Sequence, residues 1–114
     1  MSQTAQPIAP LPVVSIIIVN WNTSDLLEEC LDSLKRMDPG PAFEVCVVDN
    51  ASTDNSVGTI RRRYPDVHLI SNAFNAGFAA ANNQGAASAR GRYLLLLNPD
   101  TVALPNSLTE LVRF

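Results

Sequence analysis

Residues 13–19 read VVSIIIV, six aliphatic side chains and one serine with no alternation of polar and apolar positions. A strand with one face in water alternates with a period of two. An unbroken β-branched run marks a strand buried on both faces, as in a parallel sheet covered by helices. This run constrains everything after it. Parallel neighbours cannot be joined by a tight hairpin, so each strand must be followed by a long crossover, usually a helix.

The remainder of the chain supplies such crossovers. Leu27, Cys30, Leu31, Leu34 and Met37 recur at helical spacing and predict an amphipathic helix over 25–37. Thr23, Ser24 and Asp25 compete to cap it, Glu28 stands three residues beyond Asp25, and Pro39-Gly40-Pro41 stops it. A second strand is expected at 43–48, running into Asp49-Asn50. Ser52, Thr53 and Asp54 offer caps for a helix through Tyr64, which Pro65 closes. A short third strand follows at 67–70, then a loop over 71–77 and an alanine-rich helix over 78–90 that Gly91 ends. Residues 93–97 (YLLLL) form a fourth strand, Asn98-Pro99-Asp100 breaks it, and Asn106 or Ser107 caps a last helix.

Four alternations of strand and helix predict an α/β fold, an open parallel sheet with helices on both faces and right-handed crossovers. One domain over 13–114 is expected, behind a flexible N-terminal segment at 1–12 rich in Pro, Gln and Ala. The last helix runs to Phe114, so the chain is expected to be a piece of a longer protein.

Composition removes several functions. A net charge of −3 argues against nucleic-acid binding, which needs a basic face. Arg61, Arg62 and Arg63 fall late in a helix, where cations suit the negative end of the macrodipole. Cys30 and Cys46 lie on apolar faces, read as small buried hydrophobes in a reducing cytoplasm, and have no zinc-type spacing. No stretch reaches a membrane span, and the N-terminus lacks the pattern of a signal peptide. His68, the sole histidine, falls within a strand and reads as structural.

In open parallel sheets ligands bind beyond the carboxyl ends of the strands, where strand order reverses. Those ends are Asn20-Trp21-Asn22, Asp49-Asn50, Ser71-Asn72 and Asn98-Pro99-Asp100. Asp49 can accept hydrogen bonds from a nucleobase N–H or a ribose hydroxyl, or it can shape a turn. Asp100, with Asn98 two residues away, suits a sparse magnesium-type site completed by phosphates, or again a turn. The stretch 75–83 (NAGFAAANN) opens on residues that tolerate positive φ and continues in small ones, which admits a close ligand or a tightly packed sheet. Trp21 lines a pocket or packs. No Gly-x-Gly-x-x-Gly, Walker loop or Gly-x-Ser-x-Gly elbow is present, which disfavours dinucleotide-binding and hydrolase relatives. A non-catalytic nucleotide- or partner-binding module remains the alternative to an enzyme.

The strings VSIIIVNWN, FEVCVVDNASTDNS, NAFNAGFAAANNQG and RYLLLLNPD, in this order, resemble the N-terminal half of glycosyltransferase family 2, nearest its rhamnosyltransferase-like members. The resemblance runs from residue 13 to 114. It implies a GT-A fold with a Rossmann-like nucleotide-binding half and inverting transfer from a nucleoside-diphosphate sugar, UDP- or dTDP-linked, to a glycan or glycolipid. By the same resemblance Asp49 contacts the nucleoside, Asn20, Trp21 and Asn22 wrap it, and Asn75, Gly77 and Asn82 lie beneath the donor. Asp54 matches the second acid of the Asp49 motif, a position that a helix cap explains equally well. Asp100 matches the last position of the metal-binding Asp-x-Asp motif, and Asn98 replaces its first acid. A Mg²⁺ or Mn²⁺ ion would then rest on Asp100 and the diphosphate. The general base and most of the acceptor site belong to the family's second half, so the 114 residues alone are expected to be inactive. The resemblance extends to a cytoplasmic setting, at the inner face of the membrane in a longer parent, and to cell-envelope polysaccharide biosynthesis. The apolar fourth strand is expected to self-associate if nothing covers it.

Overall fold

The computed structural model describes residues 11–37 and 41–113, with the backbone alone at Arg113. The expected flexible lead-in and the Pro39-Gly40 stop signal fall mostly outside those residues. The elements run β1 (Val14–Asn20), α1 (Ser24–Lys35), β2 (Phe43–Asp49), α2 (Ser56–Arg63), β3 (His68–Ser71), α3 (Phe78–Ala87), β4 (Tyr93–Leu97) and α4 (Ser107–Arg113). All strand pairs are parallel and the sheet order is β3-β2-β1-β4. The chain therefore builds outward from β1 to β3, returns through α3, and lays β4 on the other side of β1. Strand order reverses between β1 and β4, which is the switch point of this sheet.

The β1 run is buried throughout because helices cover both its faces. Ile16 and Ile18 face a cluster with Leu27, Cys30, Leu31 and Leu34 of α1, Ile60 of α2 and Leu108 of α4. Ile17 and Val19 face the other way, onto Cys46, Val48 and Ala81 of α3. The three consecutive isoleucines are 0% exposed, each contributing about 1.5–3 kcal/mol of hydrophobic stabilisation. At Gly85 a Cβ would sit 2.5 Å from the Ile17 Cγ2 atom, so α3 lies against β1 at a distance only glycine permits.

Coverage is uneven. In the β1–β4 register Leu94 lies beside Ser15 and Leu96 beside Ile17, on the α3 face. α3 sits over β1 and β2, and Leu94 and Leu96 remain 53% and 54% exposed.

Three boundaries depart from expectation. α1 ends at Lys35, two residues before the last apolar position, and Met37 bonds back to the Leu34 carbonyl at 3.2 Å. α3 ends at Ala87 rather than near Arg90, where the Ser88 hydroxyl bonds the Gly85 carbonyl and Glu44 takes the Arg90 N–H. α2 starts at Ser56, later than the Ser52-Thr53-Asp54 caps suggest. Ser52 and Thr53 are instead held by Asn20, Asn22 and Asp49 at neighbouring strand ends, while the Asp54 carboxylate binds the Ser24 and Ser56 N–H groups.

Candidate functional site

The carboxyl ends of β1 and β2 lie side by side, with Asn20 in register with Asp49. Asp49 is 1% exposed. Its Oδ1 accepts from Asn20 Nδ2 at 2.9 Å and from the Ser52 hydroxyl at 2.7 Å, and its Oδ2 accepts from the Ser52 N–H at 2.9 Å. Hydrogen bonds to an ionised acceptor are the strong kind, and here three converge on one buried carboxylate. Asn20, 0% exposed, also accepts the Thr23 hydroxyl on Oδ1 at 2.6 Å. Asp49 and Asn20 thus form the floor of the site and set the shape of the two loops above them.

Those loops are tied to each other. The Asn22 N–H donates to Ser52 Oγ at 2.9 Å, and Asn22 Oδ1 accepts from the Thr53 and Asp54 N–H groups at 2.7 and 3.2 Å. Both turns need left-handed backbone: φ is 54° at Asn22 and 62° at Ala51. Asparagine tolerates that region, whereas alanine loses about 1 kcal/mol there, strain held at the centre of the site. Trp21 projects beside this pad, 55% exposed.

Asp54 joins two helix N-termini. Its Oδ2 accepts the Ser24 N–H of α1 at 3.1 Å, and its Oδ1 accepts both the N–H and the hydroxyl of Ser56 in α2. Burial alone would raise its pKa, but the Ser56 and Ser24 hydrogen bonds outweigh it and hold Asp54 below the usual carboxylate range. The cap reading of Asp54 is the one the geometry supports, shared between two helices.

A second network borders the first. Asn50, 2% exposed, accepts on Oδ1 from Asn72 Nδ2 at 3.0 Å and from the Ala76 N–H at 3.2 Å, and donates from Nδ2 to the Gly77 carbonyl at 3.1 Å. Gly77 adopts φ 88°, which suits glycine, and its N–H is held by Asn75 Oδ1 at 2.9 Å. Asn82 on α3 is 8% exposed, and its amide has no hydrogen-bond partner among the described residues. Asn75 and Gly77 therefore border the pad through Asn50, and Asn82 lies in α3, which begins directly after Gly77. Sequence reasoning placed Asn50 and Asn72 at strand ends without assigning them a role, and missed Ser52 as more than a cap. The signal available was the serine three residues after Asp49, near enough for its N–H and hydroxyl to fold back onto the carboxylate.

Across the switch point the β4 end is built differently. Asn98 and Asp100 are exposed, and neither side chain has a hydrogen-bond partner among the described residues. The turn is closed by the backbone, with the Thr101 N–H on the Asn98 carbonyl at 3.1 Å. Asp100 acts at a distance on Cys30, whose thiol is pushed up to about 11 by burial and then by the Asp100 charge. Cys30 is a neutral core group at physiological pH. No cluster of three His, Cys, Asp or Glu side chains suited to a metal occurs among the described residues. One carboxylate beside one amide is a donor set that fits a hard divalent cation only when phosphate oxygens complete the shell.

A cavity of about 270 Å³ opens at the other end of the sheet, lined in part by Glu44, Cys46, His68, Ser88 and Arg90. Its carboxylate is engaged by Ser15 and Arg90 and its thiol is raised by burial, so it offers no free charge for chemistry. No helix among the described residues is long and apolar enough to cross a membrane.

Known proteins resemble this chain in sequence and in fold. The chain is 35% identical over 92 residues to a poly(ribitol-phosphate) β-glucosyltransferase of Bacillus spizizenii, covering 76% of this chain and 14% of that protein. It is 32% identical to a chondroitin synthase of Pasteurella multocida, covering 86% and 10% respectively. Among solved structures it superposes on a mannosyltransferase of Pyrobaculum calidifontis, in complex with GDP-Man and Mn²⁺, with a TM-score of 0.81 at 30% identity, covering 97% of this chain and 35% of the other. The S. aureus TarS 1–349 structure with UDP matches at a TM-score of 0.79 and 25% identity, covering 88% and 31%. The chain thus spans about a third or less of the length of these relatives. The model of glycosyl transferase family 2 matches residues 15–114, and the chain belongs to that family.

Proposed function

We propose that residues 13–114 are the donor-binding half of an inverting glycosyltransferase, one that moves a sugar from a nucleoside diphosphate to a glycan or glycolipid acceptor. The observation that carries this reading is the pairing at the switch point. A hydrogen-bonded pad on Asn20, Asp49 and Ser52 lies on one side, and the carboxylate of Asp100 lies on the other. That division suits a ligand with an uncharged hydrogen-bonding end and a polyanionic middle. Trp21 and the free Nδ2 of Asn22 flank the nucleoside, with Asp49 setting the loop that receives it. Asn75 and Gly77 border the donor, and the Asn82 amide, which has no hydrogen-bond partner among the described residues, is available to it.

Asp100 holds Mg²⁺ or Mn²⁺, with Asn98 beside it as a neutral ligand or a hydroxyl partner. A bound cation supplies charge neutralisation of the diphosphate leaving group. The relative solved with GDP-Man and Mn²⁺ supports this pairing of nucleotide and metal. The remaining work on the acceptor hydroxyl, proton removal, falls to a group outside these 114 residues. Within the family the chain is read as rhamnosyltransferase-like, with a UDP- or dTDP-linked donor. Its setting is the cytoplasm, at the inner face of the membrane. β4, apolar on both faces and paired on one edge only among the described residues, associates with a second copy of the chain through Leu94 and Leu96.

The test is a titration of UDP, dTDP and GDP, each with and without Mn²⁺, against wild type and Asp100→Ala. Nucleotide binding that Mn²⁺ strengthens in wild type and not in Asp100→Ala is expected. Metal dependence that survives Asp100→Ala would refute the metal assignment, and turnover of donor and acceptor by the isolated chain would refute the missing base.

A further inference from the structure

The loop bearing Asn75 and Gly77 has few apolar anchors: Phe74 is 71% exposed and Phe78 61%. A segment that does not bury its aromatic side chains needs another means of holding one conformation. Side-chain amides supply it. Asn72 Nδ2 donates both to Asn50 Oδ1 at 3.0 Å and to Gln84 Oε1 at 2.8 Å, and Gln84 Nε2 returns a bond to Asn72 Oδ1 at 3.0 Å. The Asn72–Gln84 pair is reciprocal, as two amides face to face can be. Asn50 passes the constraint on, gripping the loop at the Ala76 N–H and at the Gly77 carbonyl. Main-chain bonds anchor the other end, from the Asn72 N–H to the Asp49 carbonyl and from the Asn50 N–H to the Asn20 carbonyl, both at 2.9 Å. A continuous run of hydrogen bonds therefore links α3, β3, β2 and β1 through three side-chain amides.

We infer that Asn50, Asn72 and Gln84 form an amide clamp that positions the 73–77 loop for the donor, and that Asn72 and Gln84 are positioning residues without touching it. The inference rests on the donor-binding reading above. Binding that requires a loop in one conformation is weakened in proportion to the population lost from it. The clamp also has polarity. Asn72 must donate to both neighbours, so Asn72→Asp removes both donations, whereas Gln84→Glu keeps its acceptor oxygen but sets its second carboxylate oxygen against Asn72 Oδ1.

Two measurements on the 114-residue chain test it together: hydrogen exchange at the Ala76 amide, and the affinity for UDP with Mn²⁺. Gln84→Ala and Asn72→Asp should speed exchange at Ala76 and weaken UDP by about three- to tenfold, the scale of one neutral hydrogen bond. Gln84→Glu, which keeps one bond and opposes the other, should fall between wild type and Gln84→Ala in both. A purely structural role would lower the melting temperature with the UDP affinity unmoved in all three variants, which overturns the positioning claim. Unaltered Ala76 exchange in Gln84→Ala and Asn72→Asp overturns the clamp itself, whatever the nucleotide does. Faster exchange in a chain whose wild type binds none of UDP, dTDP or GDP instead overturns the donor reading and removes the positioning role with it.

Discussion

The two sides of the strand-order reversal are made by opposite means. On the β1–β2–β3 side the strand ends are cross-linked by side chains, Asn20 to Asp49, Asp49 to Ser52, Asn22 to Thr53 and Asn50 to Asn72, before any ligand arrives. On the β4 side Asn98 and Asp100 stand exposed on a turn that the backbone alone closes. Pre-organised donors and acceptors lose little entropy when a ligand docks, whereas an isolated carboxylate remains hydrated until a counter-charge comes. The difference implies a division of work: shape recognition at the built side, charge compensation at the open one.

The largest effect should come from removing the floor of the built side. Asp49→Ala leaves Asn20 Nδ2 and the Ser52 N–H and hydroxyl without their acceptor in a buried setting, at about 1–3 kcal/mol for each group that water cannot reach. A destabilisation of about 3 kcal/mol in urea unfolding is expected, together with loss of nucleotide binding. A small stability change would mean that the loops are held from elsewhere. Gly85→Ala probes the layer beneath. Its Cβ would meet Ile17 at 2.5 Å, and overpacking of this kind costs about 1–3 kcal/mol. Thermal unfolding should show the drop with the UDP affinity of the surviving folded chain little altered.

Much of the fold was legible because burial writes itself into hydrophobic pattern. Residues 13–19 had to be a doubly covered strand, and the YLLLL run was as plain a strand, though its coverage was not. The start of α2 was not legible, since Ser52 and Thr53 have the chemistry of caps and are used as tertiary tethers. Sequence periodicity carries no information about a partner thirty residues away, such as Asn22 for Thr53. The nearness of the strand ends was legible, because strand ends in a parallel sheet must come together. Their internal roles were not. Asp49 reads from its position as either a ligand or a turn-former and is buried with its carboxylate holding the turn at Ser52, and the Asn72–Gln84 pair has no motif at all. The bare α3 face of β4 goes against its own pattern, since a run without alternation reads as covered on both faces, and Leu94→Lys with Leu96→Lys should abolish any concentration-dependent association seen by sedimentation.

A smaller effect belongs to Asp54, which sits at the edge of the built side. Loss of a helix-capping carboxylate costs about 1 kcal/mol, and Asp54→Ala removes one shared by α1 and α2. Its pKa is lowered in the folded chain, so the folded state binds fewer protons than the unfolded one as acid is added. The stability it contributes is complete above the unfolded carboxylate value and is lost as pH falls through the folded one. Glu44 behaves alike: burial would raise its pKa, and the Ser15 and Arg90 hydrogen bonds pull it lower. Unfolding midpoints between about pH 5 and pH 2 should therefore fall less steeply in Asp54→Ala than in wild type. Parallel curves would show that the Ser24 and Ser56 bonds contribute nothing in solution.

The smallest effect on stability should be at the open side. Asp100 is exposed and makes no side-chain hydrogen bond among the described residues, so Asp100→Ala should change unfolding free energy by less than about 0.5 kcal/mol. Nucleotide binding in the absence of metal should also persist, since the pad on Asn20, Asp49 and Ser52 is untouched. What should vanish is the gain in affinity that Mn²⁺ gives wild type. Asp100→Asn, which keeps size and an oxygen and removes the charge, separates coordination from electrostatics, and on the division of work argued above it should behave like alanine. If Asp100→Asn retains the Mn²⁺ response, an oxygen at that position suffices and Asn98 is then competent to share the ion. If Asp100→Ala unfolds the chain, the β4 turn is as much built as the β2 loop, and the contrast between the two sides fails.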